Sequence, residues 1–428
     1  MIWILTSLTL FLLLSVYRLK YSVYLIAFLL PTYLVRFSIA SLPLTLLEGM
    51  IIIIFVVWLA RLLFEHKLGE VMFPWKWFIL AFLLVATIAV FVSSDRQAAW
   101  GLWKAYYVEP ILLFLVIVNT LKTSTDRRWL VYSLGLSAIG VSLYAIGQYF
   151  DIFNSPGPWI NESPKRVSSV FEYPNAVGLY LAPILGIFLG LLAFKNHLFN
   201  KVFSSLVIIL GVSALIFSFT RGAFLGLLVA LIFLGIFSQR KKLVWLFLII
   251  VIVAGLLLPL SRDQITSVVT LEDVSADVRT VLWEGSWNLI KANPVLGSGL
   301  AGFPAMYDQY RLIKHTELLL YPHNFFLNFW VELGIAGMIL MVILLIIFYR
   351  TGFWVNCKDY SPVLSISLLS GMTALFIYGL VEVPYFKNDL AVQFWILFAL
   401  MALLRYRSKQ ESSLQPEDIK RLKRYTIK

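Results

Sequence analysis

His323, Arg221 and Arg279 are the side chains in this sequence whose types and positions best suit acid–base and anion chemistry. An imidazole, with an ordinary pKa of about 6.5, can take a proton from a hydroxyl at neutral pH. A guanidinium presents a planar fork of N–H donors that fits phosphate oxygens. Two of them would grip a diphosphate and stabilise the charge it develops as it departs. Together the three describe transfer of a sugar from a lipid diphosphate to an alcohol, with His323 as general base and Arg221 and Arg279 as diphosphate ligands. That chemistry needs neither metal nor cofactor. The chain offers no H-E-x-x-H, no D-x-D and no acidic cluster of ligand spacing in its long connections, and Cys357 is its single cysteine.

Each candidate also has a plainer reading. On a helix over 275–292, started by Ser275 and stopped at Asn293-Pro294, Arg279, Trp283 and Trp287 fall at i, i+4 and i+8 and share a face. They could hold an anion and stack on sugar rings, or they could form an interfacial helix with indoles at headgroup level. Arg221 sits in SFTRGAFLG, a tight junction between two apolar runs where a helix N-terminus adds its own positive end. Arg166, in KRVSSVFEYPNAVGLYL, is a further candidate for substrate contact, whereas Pro174 and Asn175 read as helix-start residues. Glu48, Glu109, Glu332 and Glu382 lie in or at the ends of apolar runs. Such acids are functional candidates, but ion pairing would also explain them. GSGLAG at 297–302 matches G-x-G-x-x-G by spacing alone. A helix and Asn-Pro precede it where a dinucleotide site requires a strand, so it reads as a turn before a short helix. Asn324 reads as a helix starter, and Gly334 with Gly337 as a small pair for close helix packing.

What must position these residues is a membrane bundle. The chain of 428 residues is 60% apolar and 14% charged, with a mean hydropathy of +0.86. Apolar runs near 2–17, 21–37, 43–63, 74–93, 105–120, 129–149, 174–194, 202–219, 221–238, 242–260, 324–349, 361–381 and 389–405 predict an all-α polytopic transmembrane bundle of about 12–13 spans. The first run lacks the basic start and cleavage site of a signal peptide and is taken as a span. Most of the 35 basic residues fall in connections on one side, which the positive-inside rule makes cytoplasmic. The net charge of +12 therefore calls for no nucleic acid partner. The two long connections, 150–173 and 261–323, then face outward, the second partly helical and carrying the candidate site. A basic tail, 406–428, faces inward toward membrane lipid.

In order along the chain, SFTRGAFLGLL, RTVLW, NPVLGSGLAGF and PHNFFLNFWVELGIAG resemble the motifs of the O-antigen ligase/polymerase (Wzy_C-type) family of integral membrane glycosyltransferases. RVSSVFEYPNAVGLYLAP resembles its upstream segment. The resemblance covers residues 160–345 in motif and the whole chain in topology. It implies an undecaprenyl-diphosphate-linked glycan as donor, a glycan or lipid-anchored acceptor, and a site outside the cytoplasmic membrane of a bacterium. It also implies diphosphate binding by Arg221 and Arg279 and activation of the acceptor hydroxyl by His323. Polymerase and ligase activities are not separated by it, and the short tail weighs against a protein acceptor. The competing expectation is a transporter or flippase of lipid-linked oligosaccharides, which would spread polar residues along a path through the bilayer, whereas these candidates gather on one side.

Overall fold

The computed structural model describes residues 2–39, 42–155, 159, 165–194, 198–246, 248, 249, 274–312, 320–357 and 362–412. Helices dominate it: α1 (Ile2–Tyr17), α2 (Leu19–Phe28), α3 (Leu46–Phe64), α4 (Lys76–Val92), α5 (Arg96–Trp103), α6 (Glu109–Thr120), α7 (Ser124–Tyr149), α8 (Pro174–Leu192), α9 (Leu198–Ser218), α10 (Arg221–Phe237), α11 (Val274–Ala292), α12 (Phe303–Tyr307), α13 (Phe325–Cys357), α14 (Pro362–Tyr378) and α15 (Asn388–Ser412). Among the described residues, seven helices are long and apolar enough to cross a membrane, and five shorter ones are apolar. These account for the expected runs except 242–260, most of which lies outside the described residues. So do residues 261–273 and 313–319 of the 261–323 connection, part of 150–173 and the end of the basic tail.

One expected span differs. The run 21–37 is helical only to Phe28. Pro31 then sits at the start of a 3-10 turn (Leu30–Leu34), where its missing N–H is tolerated. The chain turns back as a small antiparallel hairpin, β1 (Arg36–Ile39) against β2 (Leu42–Thr45), with Arg36 opposite Thr45. A short π segment, Lys104–Val108, joins α5 to α6. It places Lys104 Nζ 3.1 Å from Glu48 Oε2 and 4.0 Å from Glu109 Oε1, so two of the acids embedded in apolar runs share one lysine.

The centre of the bundle is set by small residues. α14 packs along α8 and α10. A Cβ on Gly186 would lie 2.8 Å from the Gly371 Cα, and one on Gly190 would lie 2.5 Å from the Ser367 Cα. Where lipid supplies no hydrophobic drive between helices, such close backbone approach and its dispersion energy hold them together. The consequence for the site is positional: the C-terminal end of α14 is fixed against the N-terminal ends of α8 and α10.

Gly334 has a different role from the packing expected of it. Its φ of 70° lies in the left-handed region and breaks the helical path of α13. Across the break, Ile335 N donates to Pro294 O at 3.3 Å instead of to its own helix. The carbonyl of Val331 is taken by Ser298, through the backbone N–H at 2.6 Å and the hydroxyl at 3.0 Å. The GSGLAG turn therefore docks into a helix break and satisfies the polar groups that the break exposes. Gly297 and Gly299 have positive φ, and the short α12 follows. This docking carries α11, which ends at Ala292 as Asn293-Pro294 predicts, onto the first turns of α13.

Candidate active site

His323 occupies the turn before α13 with a φ of 47°, a conformation that costs a non-glycine residue energy and persists only where its surroundings impose it. The surroundings are the 379–387 loop between α14 and α15. Phe325 N donates to Gly379 O at 2.7 Å, and Asn324 Nδ2 donates to Leu380 O at 2.9 Å. Asn324 Oδ1 meanwhile accepts from the N–H groups of Phe326 and Leu327, both at 3.0 Å, the helix-start role its position suggests. With the two segments laced together, His323 Nδ1 meets Glu382 Oε2 at 2.9 Å. A carboxylate there fixes the hydrogen of the neutral ring on Nδ1 and leaves the Nε2 lone pair free to act as a base. The His323 side chain is 21% exposed and that of Glu382 is 1% exposed, so the base has access while its orienting group has none.

Glu382 is anchored in turn. Asn175 Nδ2 donates to its other oxygen at 2.8 Å, and Asn175 Oδ1 accepts from an Nη of Arg166 at 3.2 Å. Tyr378 Oη donates to the Asn175 carbonyl at 3.2 Å. Arg166 also donates from Nε to Ser218 O at 3.2 Å and lies 5.7 Å from the centre of the Trp159 ring. Burial alone would raise the Glu382 carboxyl. The charge and hydrogen bond of His323, the nearby Arg279 guanidinium and the Asn175 amide outweigh it and hold the group below its ordinary value.

Arg279 thus reaches the site from α11, within electrostatic range of Glu382 and Tyr378. Arg221 opens α10 on the same side of α14. A Cβ on its neighbour Gly222 would lie 2.4 Å from the Tyr378 ring, so only glycine admits that contact. The turn before it is locked. Phe219 has a φ of 53°, Thr220 Oγ1 donates to Pro174 O at 3.2 Å, and the Ser218 and Thr220 hydroxyls are 2.7 Å apart. Arg221 itself is exposed. The structure therefore gathers His323, Arg166, Arg221 and Arg279 at one end of the bundle. The two indoles of α11 do not join them equally. Trp287 packs edge-on against Trp330 of α13 with ring centres 5.6 Å apart, and the Trp283 N–H is buried without a partner among the described residues.

Glu382 and Asn175 are the members that sequence reasoning did not assign. Glu382 stood out only as an acid at the end of an apolar run, and Asn175 only as a helix-start residue. Glu382 lies 59 residues from His323 and 207 from Asn175, beyond any local spacing. Chemically, the set offers an oriented base with its lone pair outward, beside guanidiniums suited to an anionic leaving group. Among the described residues, no three His, Cys, Asp or Glu side chains group as a metal would require.

Residues 206–342 match the family model for O-antigen ligase (Wzy_C). That stretch contains Arg221, Arg279 and His323, and over it the chain is similar to the O-antigen ligase family. Asn175 and Glu382 lie on either side of it. No curated protein matches the chain. With its apolar helices, the protein is a multi-pass membrane protein, and its matched stretch is similar to a family of polysaccharide biosynthesis.

Proposed function

We propose that this protein transfers a glycan from an undecaprenyl-diphosphate-linked donor to an acceptor hydroxyl at the outer face of the cytoplasmic membrane. The donor diphosphate lies against Arg279 and Arg221, and Arg166 braces the base through Asn175. His323 Nε2 takes the proton of the acceptor hydroxyl as its oxygen attacks the anomeric carbon. The bond from that carbon to the diphosphate oxygen breaks, the configuration inverts, and the guanidiniums stabilise the departing diphosphate. Glu382 stabilises the imidazolium that results, as a buried carboxylate does for the histidine of a hydrolase triad. The observation that carries this reading is the 2.9 Å contact between His323 Nδ1 and the buried Glu382, which points the other ring nitrogen outward.

The test incubates the purified protein with a defined undecaprenyl-diphosphate oligosaccharide, with and without a second acceptor. Longer lipid-linked chains mark a polymerase, and chains moved to the second acceptor mark a ligase. His323→Ala is expected to lower transfer by about 10²–10⁴-fold, the usual contribution of general base catalysis, with donor affinity unchanged. Normal transfer by that variant would remove His323 from the chemistry. Movement of lipid-linked oligosaccharide across a vesicle membrane, with no transfer by the parent protein, would replace the enzyme with a transporter.

A further inference from the structure

Beside His323 lies a second surface that the diphosphate chemistry does not use. The Tyr321 ring packs edge-on to the imidazole with centres 5.4 Å apart. The Tyr321 hydroxyl is 3.3 Å from that of Tyr173, and Lys387 Nζ sits 4.1 Å from the centre of the Tyr173 ring. Tyr106, Tyr173 and Tyr321 are all partly exposed. Next to them, on the first turns of α13, Phe329 packs on Tyr385 with ring centres 5.3 Å apart, and the Tyr385 hydroxyl donates to the Tyr106 carbonyl at 2.7 Å. Glu332, on the same turns, acts electrostatically on Tyr106, Tyr107 and Tyr321. Asn328 lies on the same face of α13 as Glu332, one turn nearer His323.

These deeper groups are unsatisfied. Asn328 is fully buried, and neither its amide N–H₂ nor its carbonyl oxygen has a partner among the described residues. The same holds for Glu332 Oε2 and the Tyr107 hydroxyl. A buried polar atom without a hydrogen bond is costly, and more so inside a membrane bundle. Several of them together beside an accessible aromatic wall would be satisfied by a ligand that brings hydroxyls. A pyranose fits on both counts: its C–H faces stack on aromatic rings, and its hydroxyls both donate and accept.

Resting on the transferase reading above, we propose that Tyr106, Tyr173 and Tyr321 form the wall, and Asn328 and Glu332 the floor, of the binding site for the terminal sugar of the acceptor. Tyr321 touches the imidazole, so a sugar stacked there brings one hydroxyl to His323 Nε2. The donor diphosphate occupies the guanidiniums instead. Acceptor and donor thus have separable determinants.

The experiment uses the full chain in nanodiscs and measures transfer at varied concentrations of two lipid-free acceptor probes: the repeat-unit oligosaccharide and the lipopolysaccharide core oligosaccharide. Tyr321→Phe and Asn328→Leu are compared with the parent. Each is expected to raise the acceptor KM by about tenfold, the scale of one lost polar contact. The kcat should change by less than about threefold, and the donor Kd should not change. Asn328→Leu removes an unpaired buried amide, so it should unfold at a temperature no lower than the parent does. Loss of acceptor affinity without loss of stability is not what a structural role would give. An unchanged acceptor KM, the outcome if the floor holds only internal water, or a shift in donor Kd instead, overturns the site while leaving the transferase reading intact. If the parent binds a probe by saturation-transfer NMR, loses that binding in Asn328→Leu, and yet transfers nothing, the site stands and the transferase reading falls. A parent that neither transfers nor binds either probe overturns both.

Discussion

Glu48 and Glu382 are both buried at the end of the bundle where α15 begins, and both face a basic side chain and an asparagine. Around Glu48 the groups are closed upon one another. Its Oε2 accepts from the Thr45 N–H at 2.9 Å and from Lys104 at 3.1 Å, its Oε1 accepts from Asn388 Nδ2 at 2.9 Å, and Lys104 also reaches Pro43 O. Lys104 is spent on these oxygens and on the neighbouring Glu109, so the set holds no group with a free lone pair. Around Glu382 the same ingredients are opened at one place: Asn175 and Arg166 stand behind the carboxylate, while the group in front is an imidazole whose second nitrogen leaves the cluster. A buried carboxylate with a saturated shell is architecture. One that orients a partly exposed base is a device for chemistry.

Substitution should separate the two. Glu382→Gln keeps the shape but lets the amide donate toward His323 Nδ1, which favours the wrong tautomer. Transfer should fall by about 10²-fold or more, with the protein still folded, as read by single-turnover transfer and thermal unfolding. Equal transfer in that variant would make Glu382 as architectural as Glu48. Glu48→Ala leaves the partly exposed Lys104 with Glu109 but removes the partner of the Thr45 N–H and of the Asn388 amide, and should cost about 1–2 kcal/mol of stability. The rate per folded molecule should be retained, which thermal unfolding and activity normalised to folded protein would show. A large drop in rate at unchanged stability would instead draw Glu48 into the site.

The smallest effect is that of pH. Glu382 is held below the ordinary carboxylate value, so its contribution to stability is fully present above the unfolded value, about 4.3. It is lost as pH falls through the lower value in the fold. The melting temperature of the parent should fall through that acidic window more steeply than that of Glu382→Gln, and parallel curves would contradict the pairing.

Most of the bundle was legible because apolar runs and helix-start residues are local signals. Pro174 opens α8, Arg221 opens α10, and Asn293-Pro294 ends α11, where sequence reading put them. The hairpin after Pro31 and the break at Gly334 were not, because both depend on what docks against them. Gly334 looks like any small residue in an apolar run until Pro294 and Ser298 are seen to take up the hydrogen bonds it releases. The site divides the same way. His323, Arg221 and Arg279 stand out by residue type and setting. Asn175 reads as a helix-start residue and Glu382 as one of four embedded acids that ion pairing would also explain, and only the close α8–α14 packing turns them into the support of a base.

The central claim is that Glu382 acts on transfer through His323, and a double-mutant cycle tests it. Single-turnover transfer is measured for the parent, His323→Ala, Glu382→Gln and the pair, at saturating donor and acceptor. If Glu382 works by orienting the imidazole, the double variant is no slower than His323→Ala alone, because the oriented group is already gone. Losses that multiply would mean that the two residues act independently, and would contradict the account.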